Sequence, residues 1–112
     1  GKRMTTITVS TSHTGIYKSF HCNGHADYAE AGSDIVCAAI SILVINTINS
    51  IECFGNQKFI CTQNEKEGDI YFELSEHPTA ETKLLLDSMV LGLKDVEKQY
   101  NGKYLKLDFK EV

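Results

Sequence analysis

One long apolar segment, residues 35 to 51, limits more than any other feature what this chain can fold into. Its first part, Ile35 to Ile45, contains a single hydroxyl side chain, Ser41, among apolar residues. The segment is too long for a strand, since strands rarely exceed about ten residues, and its later apolar residues recur at helical spacing. We predict a helix that is apolar almost all round at its start. Such a helix must be covered on more than one side, and a sheet and a second subunit are the candidates for that cover.

The ends of this helix have recognisable signals. Ser33 and Asp34 offer N-cap chemistry directly before the apolar segment, and Gly55 is a plausible stop. With Asp34 as the cap, Cys37 would lie in the first turn. The apolar run is shorter than the roughly 20 residues that a membrane span requires, so we expect no membrane association.

The remaining elements follow from alternation and turn signals. Strands are predicted at Thr5–Val9, Ile16–Cys22, Lys58–Thr62, Ile70–Leu74 and Tyr104–Phe109. The first two form a hairpin through the turn His13–Gly15, and the next two form a hairpin through the loop Asn64–Asp69. Residues 23 to 33 contain no large aliphatic side chain, and we predict a mobile loop there. A second helix has Pro78 in its first turn and ends at Asn101 and Gly102.

These elements predict a single α+β domain over residues 4–112 with the order ββαββαβ. Strands in hairpins with two long helices favour an antiparallel-rich sheet with both helices packed on one face. One hundred and twelve residues are too few for two separate cores. Gly1 to Arg3 precede Met4 and are interpreted as an added remnant. With no apolar stretch at the start, we expect no secretory signal and a cytoplasmic protein.

The charge argues against nucleic acid as a direct partner. The chain has eleven basic and fifteen acidic residues, a net charge of −4. Without Lys2 and Arg3, nine lysines and no arginine remain, and the charge becomes −6. Readers of phosphates and base edges depend on arginine and on a basic patch. An acidic chain suits a basic protein partner better.

Four cysteines, at positions 22, 37, 53 and 61, contain no C-x-x-C pair. In a reducing compartment a disulfide framework is not expected, and free cysteines usually pack as small hydrophobes. We predict packing roles for Cys22, Cys53 and Cys61, and for Cys37 two interpretations stay open, packing and catalysis. Cys22, His25 and Cys37 could also bind zinc, although a fourth ligand would have to come from Cys53 or Cys61. We expect no metal and no cofactor.

The catalytic interpretation of Cys37 needs a base. A thiol in the first turn of a helix has a lowered pKa, because unpaired N–H groups and the helix dipole favour the thiolate. Those N–H groups could also hold the oxyanion formed when a carbonyl is attacked. His25 could take the thiol proton, since it follows Gly24, where the backbone can turn sharply. Ala38 and Ala39 keep the surface around the sulfur low.

Two more polar residues could support this pair. Ser41 lies one turn beyond Cys37 on the same helix face. Asp34 could support the pair or only cap the helix. His13, His21 and His77 have no partner that the sequence identifies, and we assign them to turns or to solvent.

Residues 24 to 41 resemble the ribosomal-processing cysteine protease family, Prp. The resemblance is carried by Gly24-His25-Ala26, the Gly- and Ala-rich stretch through Gly32, and the segment from Asp34 to Ser41 that contains Cys37-Ala38-Ala39. It implies a cytoplasmic thiol protease of low-GC Gram-positive bacteria and their relatives. Such a hydrolase acts in ribosome biogenesis by removing an N-terminal extension from the precursor of the large-subunit ribosomal protein numbered twenty-seven.

Carried over by position, the resemblance implies His25 as general base and Cys37 as nucleophile. Gly24, Asp34, Ala38 and Ser41 are implied as supporting or substrate-binding residues. It also implies a homodimer with a mobile loop beside the site. We expect the substrate peptide to order the loop at 23–33 over the cleft. The alternative is a non-enzymatic, ribosome-associated module that binds a basic ribosomal protein, with Cys37 buried.

Overall fold

The computed structural model describes residues 4–24, 31–64 and 68–112, and within this part the backbone alone for residues 31–34. Five strands form one sheet: β1 Thr5–Thr11, β2 Tyr17–Asn23, β3 Phe59–Asn64, β4 Asp69–Leu74 and β5 Leu105–Glu111. The two helices are α1 Ala31–Phe54 and α2 Ala80–Gln99. The sheet order is β3-β4-β2-β1-β5. All neighbours are antiparallel except β1 and β5. The predicted element order ββαββαβ and the antiparallel-rich sheet are confirmed.

Alternation in the strands decides which face of the sheet is buried. In β1, Ile7 and Val9 are buried, whereas the alternate residues Thr6 and Thr8 are half-buried on the opposite face. The same alternation in β2 and β4 buries Phe20 and Phe72, whose rings stack with centroids 5.0 Å apart. The buried apolar side chains of β1, β2 and β4 therefore lie on one face of the sheet, and both helices pack there, as predicted.

The two predicted hairpins have the expected strands. The first closes through a hydrogen bond of 2.8 Å from the Ser12 amide to the Ile16 carbonyl, with Gly15 at φ +84°. The strand after it begins at Tyr17, one residue later than predicted. The second hairpin pairs β3 with β4. The tip of its predicted loop lies outside the described residues.

Helix α1 begins earlier than the capping signal indicated. Its first residue is Ala31, so Ser33 and Asp34 lie within the helix and Asp34 is not its N-cap. Alanine has the highest intrinsic helix propensity, whereas serine and aspartate have cap chemistry without being confined to caps. The predicted loop at 23–33 is also shorter at both ends, because Asn23 ends β2 and Ala31 starts α1. Residues 25–30 of that loop lie outside the described residues.

The end of α1 and the start of α2 meet at Gly55. Its amide donates to the Ile51 carbonyl at 2.9 Å. A side chain there would approach the Ile51 carbonyl oxygen to 2.6 Å and the Thr82 hydroxyl to 2.8 Å. Glycine is therefore needed for the close approach of the two helices, and the predicted stop at Gly55 is confirmed.

The first turn of α2 starts later than predicted. Thr79 is the N-cap, and its Oγ1 accepts from the Thr82 amide at 3.1 Å and donates to the Gly55 carbonyl at 2.6 Å. Pro78 thus lies before the cap instead of inside the first turn. Proline is favoured in a first turn because it lacks an N–H. Here the threonine hydroxyl supplies the acceptor that the free helix amides require.

Helix α1 is covered on two sides within the chain. Val36, Ile40 and Val44 are buried against the sheet, and Leu43 contacts Gly92 of α2, where an added Cβ would be 2.9 Å from a Leu43 methyl group. By length and mean hydropathy alone, residues Ile35–Phe54 could also cross a membrane. Burial against a sheet and a second helix, with the outer side exposed, is typical of a core helix. The outer surface of the two helices exposes several apolar side chains, here called the helix patch: Ile35, Ile42, Phe54, Leu84 and Leu91.

Candidate active site

Cys37 is positioned by the buried residues around it on α1. Val36 and Ile40, each 1% exposed, fix this part of the helix against the sheet. Cys37 lies beside this buried stripe and is half-buried. The two alanines that follow do not enclose it, since Ala38 is exposed and Ala39 half-buried. The sulfur thus lies at the border between the core and the surface, where a substrate backbone can approach.

The early start of α1 changes the electrostatic argument for this thiol. Cys37 is the seventh residue of the helix, so the prediction that it lies in the first turn is wrong. Only the first four amides of a helix lack an intrahelical acceptor, and the effect of the helix dipole falls off within the first turn. The helix terminus therefore contributes little to a thiolate at Cys37. A neighbouring base has to supply most of the activation.

Ser41 lies on the same side of α1 as Cys37. The two residues are one turn apart, and both are half-buried. Their spacing of four residues places their side chains on one face of the helix, as predicted. The structure thus brings together Cys37, Ala38 and Ser41 as one strip of small side chains.

Cys22 is the cysteine whose thiol interacts with Cys37. It lies on the helix-facing side of β2 and is 1% exposed, which confirms its predicted packing role. Burial raises the pKa of the Cys22 thiol to about 12, and the Asp69 carboxylate and Cys37 add to this increase. At neutral pH Cys22 is therefore a protonated thiol, so it does not compete with Cys37 as a nucleophile.

Gly24 determines how the chain leaves β2, directly before His25. Its φ is +93°, and an added Cβ would be 2.8 Å from the Met4 carbonyl oxygen. Both the backbone conformation and the approach to another segment require glycine, as expected for this position. His25 lies outside the described residues, and the side chain of Asp34 is not described. Their roles in the site stay predictions.

The other two cysteines differ from each other. Cys61 is half-buried on β3, and burial raises the pKa of its thiol. Cys53 is exposed near the end of α1, so the prediction that it packs as a buried hydrophobe is wrong. Among the described residues, no three His, Cys, Asp or Glu side chains form a group that could hold a metal ion.

The sequence analysis missed a contact between His21 and Asp69. His21, assigned to a turn or solvent, lies in β2, and its Nε2 is 2.9 Å from Asp69 Oδ1 on β4. The His21 ring also meets Tyr71 edge-on, with centroids 6.0 Å apart. The partners are 48 positions apart, and only the pairing of β2 with β4 brings them together. No local signal in the sequence could have identified the pair.

Comparison with known proteins identifies the class of this domain. The model of the family "Cysteine protease Prp" matches residues 4–106. The Ribosomal processing cysteine protease Prp of Bacillus subtilis is 33% identical over 101 residues, which cover 87% of this chain and 90% of that protein. The protein of the same name from Staphylococcus aureus is 26% identical over 107 residues, 96% of this chain and all of the relative.

Solved structures agree with these matches. The ribosomal processing protease Prp from S. aureus in complex with a substrate peptide superposes with a TM-score of 0.89 at 25% identity, covering 96% of this chain and 100% of that one. The protein SMU.848 from Streptococcus mutans superposes with a TM-score of 0.83 at 25% identity, covering 97% and 96%. The fold is thus that of a cysteine protease. The chain belongs to the ribosomal-processing cysteine protease family Prp.

Proposed function

We propose that this protein is a cysteine endopeptidase in which Cys37 is the nucleophile and His25 the general base. The observation that carries the proposal is the position of Cys37. It is half-buried at the edge of the core beside an exposed alanine, while the neighbouring Cys22 is fully buried. The family match spans both proposed catalytic residues.

The chemistry requires proton transfer at each step. His25 takes the Cys37 thiol proton, and the sulfur attacks the carbonyl carbon of the scissile peptide bond. The imidazolium then gives the proton to the leaving amine, and an acyl-enzyme thioester remains. Water, with its proton taken by His25, attacks the thioester and releases the thiol and the carboxylate. Because Cys37 lies beyond the first turn of α1, this mechanism depends mainly on the imidazole for thiolate formation.

The proposed substrate is the precursor of the large-subunit ribosomal protein numbered twenty-seven, cut to remove its N-terminal extension. The curated relatives are named ribosomal processing proteases, and the S. aureus relative was crystallised with a substrate peptide. Ribosomal proteins are mostly basic, and the charge of −6 without Lys2 and Arg3 favours their approach. This substrate implies a cytoplasmic location.

The helix patch supports the proposal of a homodimer. Ile42 and Leu91 are 68% and 71% exposed, and they adjoin Leu43 and Gly92, through which the two helices touch. Exposed apolar side chains that lie near one another mark an interaction surface. A second copy that covers this surface would supply the outer cover predicted for α1. A single charge at its centre, in Ile42→Lys, should then convert the dimer to a monomer in sedimentation velocity.

The central experiment is incubation of the purified protein with the full-length precursor, followed by intact-mass analysis of the products. Wild-type protein should release one N-terminal fragment, and Cys37→Ala should release none. Cys53→Ala is the matched control, because it removes an exposed cysteine from the same helix and should cleave at the wild-type rate. Cleavage by Cys37→Ala would exclude Cys37 as the nucleophile.

A further inference from the structure

We propose that the substrate peptide binds as an added strand on the free edge of β3, in the groove between β3 and α1 that leads to Cys37. This inference rests on the proposed function, because it assigns a binding surface to the same site. Strand addition is a common way to bind extended peptides, since it uses backbone hydrogen bonds that an edge strand leaves unpaired.

The backbone of β3 offers such hydrogen bonds on its outer edge. Among the described residues, β3 is the last strand on its side of the sheet and pairs only with β4. The Ser75 amide donates to the Lys58 carbonyl at 3.0 Å, so the backbone amide and carbonyl of Lys58 point toward β4. In an antiparallel pair this orientation alternates along the strand. Ile60 and Thr62 then also face β4, whereas Phe59, Cys61 and Gln63 present their amides and carbonyls to the free edge.

A groove lies along this edge. It has a volume of about 540 Å³ and lies between the end of α1 and β3. Its lining comes from Glu52 on α1, Phe59 and Cys61 on β3, and the adjoining Gln57, Lys58 and Ser75. An extended chain in this groove could pair with the outward backbone groups of β3 while one side of it contacts α1.

The same flank of α1 carries Cys37. With 3.6 residues per turn, Ser41 and Glu52 lie within about 60° of Cys37 around the helix axis. Leu43, which contacts α2, lies about 120° away in the opposite sense. Cys37 and the groove are therefore on the side of α1 away from α2, and one extended peptide can contact both.

The direction of β3 agrees with this path. Asn64, at the end of β3, pairs with Asp69 at the start of β4. Ile70, the next residue, pairs with Cys22, which is buried in the same core cluster as Val36, the residue before Cys37. The end of β3 thus points to the Cys37 end of α1, and its beginning lies at the groove. From Cys37 to Glu52 the helix rises about 22 Å, which an extended peptide spans with six or seven residues, at about 3.3 Å each.

The other edge of the sheet is partly occupied by α2 side chains. At β5, Glu97 of α2 accepts a hydrogen bond of 2.7 Å from the Leu107 amide, and the Lys94 ammonium lies 5.3 Å from the centre of the Phe109 ring. In the described part of the chain, the edge amides of Phe59, Cys61 and Gln63 have no such partner. Of the two edge strands, β3 therefore leaves more of its outward backbone groups available to a peptide.

The test compares Gln63→Pro with Gln63→Ala. Proline removes the outward amide of an edge strand without breaking its pairing to the inner neighbour, while alanine removes the same exposed side chain and keeps the amide. Each variant is made in a Cys37→Ala background, and its affinity for a synthetic peptide spanning the cleavage junction of the precursor is measured by calorimetry. We expect Gln63→Pro to raise Kd about five- to tenfold and Gln63→Ala to leave it nearly unchanged. Equal affinities, or no binding by either protein, would overturn the inference.

A second measurement is independent of whether Gln63→Pro folds. Junction peptides, each with one backbone amide methylated, are titrated against the Cys37→Ala protein. Strand addition predicts that methylation weakens binding at every second position and is tolerated at the positions between, because alternate amides point away from β3. A uniform loss or no loss would overturn the inference. Cleavage of the unmodified peptide by wild-type protein tests the proposed function separately. If the peptide is not cleaved but methylation weakens binding at alternate positions, the protease activity is excluded and the proposed binding surface stands.

Discussion

The Tyr17 hydroxyl donates a hydrogen bond of 2.5 Å to Asp87 Oδ1 and thereby joins β2 to α2 across 70 positions of sequence. Asp87 also accepts from the Lys83 ammonium at 2.7 Å, one turn earlier on the helix. The phenol and the lysine thus share one carboxylate. This relationship fixes α2 against the sheet at the Tyr17 end of β2, away from Cys37.

Removal of the phenol should destabilise the fold. In Tyr17→Phe the ring keeps its packing, but the Asp87 carboxylate loses its part-buried donor, at a cost of about 1–2 kcal/mol in the free energy of unfolding. Urea denaturation followed by circular dichroism measures the change. Lys83→Met is the control, because the Lys83–Asp87 pair is exposed and such pairs contribute little, below about 1 kcal/mol. A larger loss in Lys83→Met than in Tyr17→Phe would contradict this assignment.

The same pair predicts how stability depends on pH. Burial and the hydrogen bond to Asp87 raise the pKa of Tyr17 above its ordinary value of 10.0. The stabilisation is therefore complete below pH 10 and is lost as the pH rises toward the folded-state pKa. Hydrogen bonds from Lys83 and Tyr17 lower the pKa of Asp87 below 3.8, so its contribution is present above pH 3.8 and is lost as the pH falls through the folded-state value. Unfolding free energies of wild type and Tyr17→Phe should thus converge at both extremes. A constant difference across the whole range would disprove the linkage.

Two glycines with similar backbone conformations allow a matched test beside the site. Gly24→Ala has to adopt φ near +93° and moves a Cβ to 2.8 Å from the Met4 carbonyl oxygen, whereas Gly15→Ala at φ +84° has no atom within 4 Å. The φ penalty is about 1–2 kcal/mol for both, and only Gly24→Ala adds a collision. We expect a clearly lower melting temperature for Gly24→Ala and, because the residue precedes His25, slower precursor cleavage. Equal melting temperatures would mean that the contact with Met4 relaxes without cost.

Thiol reactivity should rank the cysteines by their surroundings. Cys22 should react most slowly with iodoacetamide at neutral pH, because it is 1% exposed and burial raises its pKa to about 12. Cys53 is exposed and should react as an ordinary accessible thiol. A thiolate activated by His25 should make Cys37 faster than Cys53 although it is less accessible, and His25→Ala should remove this advantage. Peptide mapping by mass spectrometry gives each rate, and a Cys37 slower than Cys53 would favour the packing interpretation.

The element order could be predicted from the sequence because it depends on local periodicity. Alternation identified all five strands, and the length of the apolar segment distinguished α1 from a strand. The predicted helix starts differed from the observed ones, because residues such as Ser33 and Pro78 are favoured near a helix start without marking its exact position. The true starts depend on Ala31 and on the Thr79 hydroxyl, which has partners on two elements.

Long-range features of the site were beyond sequence reasoning. The packing role of Cys22 followed from the general behaviour of free cysteines, but the effect of Cys37 on its pKa depends on how α1 lies across the sheet. The exposure of Cys53 depends on the flank of α1 that α2 leaves open. The pairing of His21 with Asp69 depends on the register of β2 against β4, which neither strand encodes alone.

The hydrogen bond from the Leu107 amide of β5 to the Glu97 carboxylate of α2 has a consequence for solubility at high concentration. Copies can add to a fibril without limit only if every molecule has two sheet edges that accept another strand, so that each added copy leaves one edge open. With the β5 edge partly occupied by a side chain of α2, we expect copies to pair mainly through β3, which favours a closed pair over a growing fibril. The domain can therefore keep the edge of β3 open to a bound peptide without polymerising.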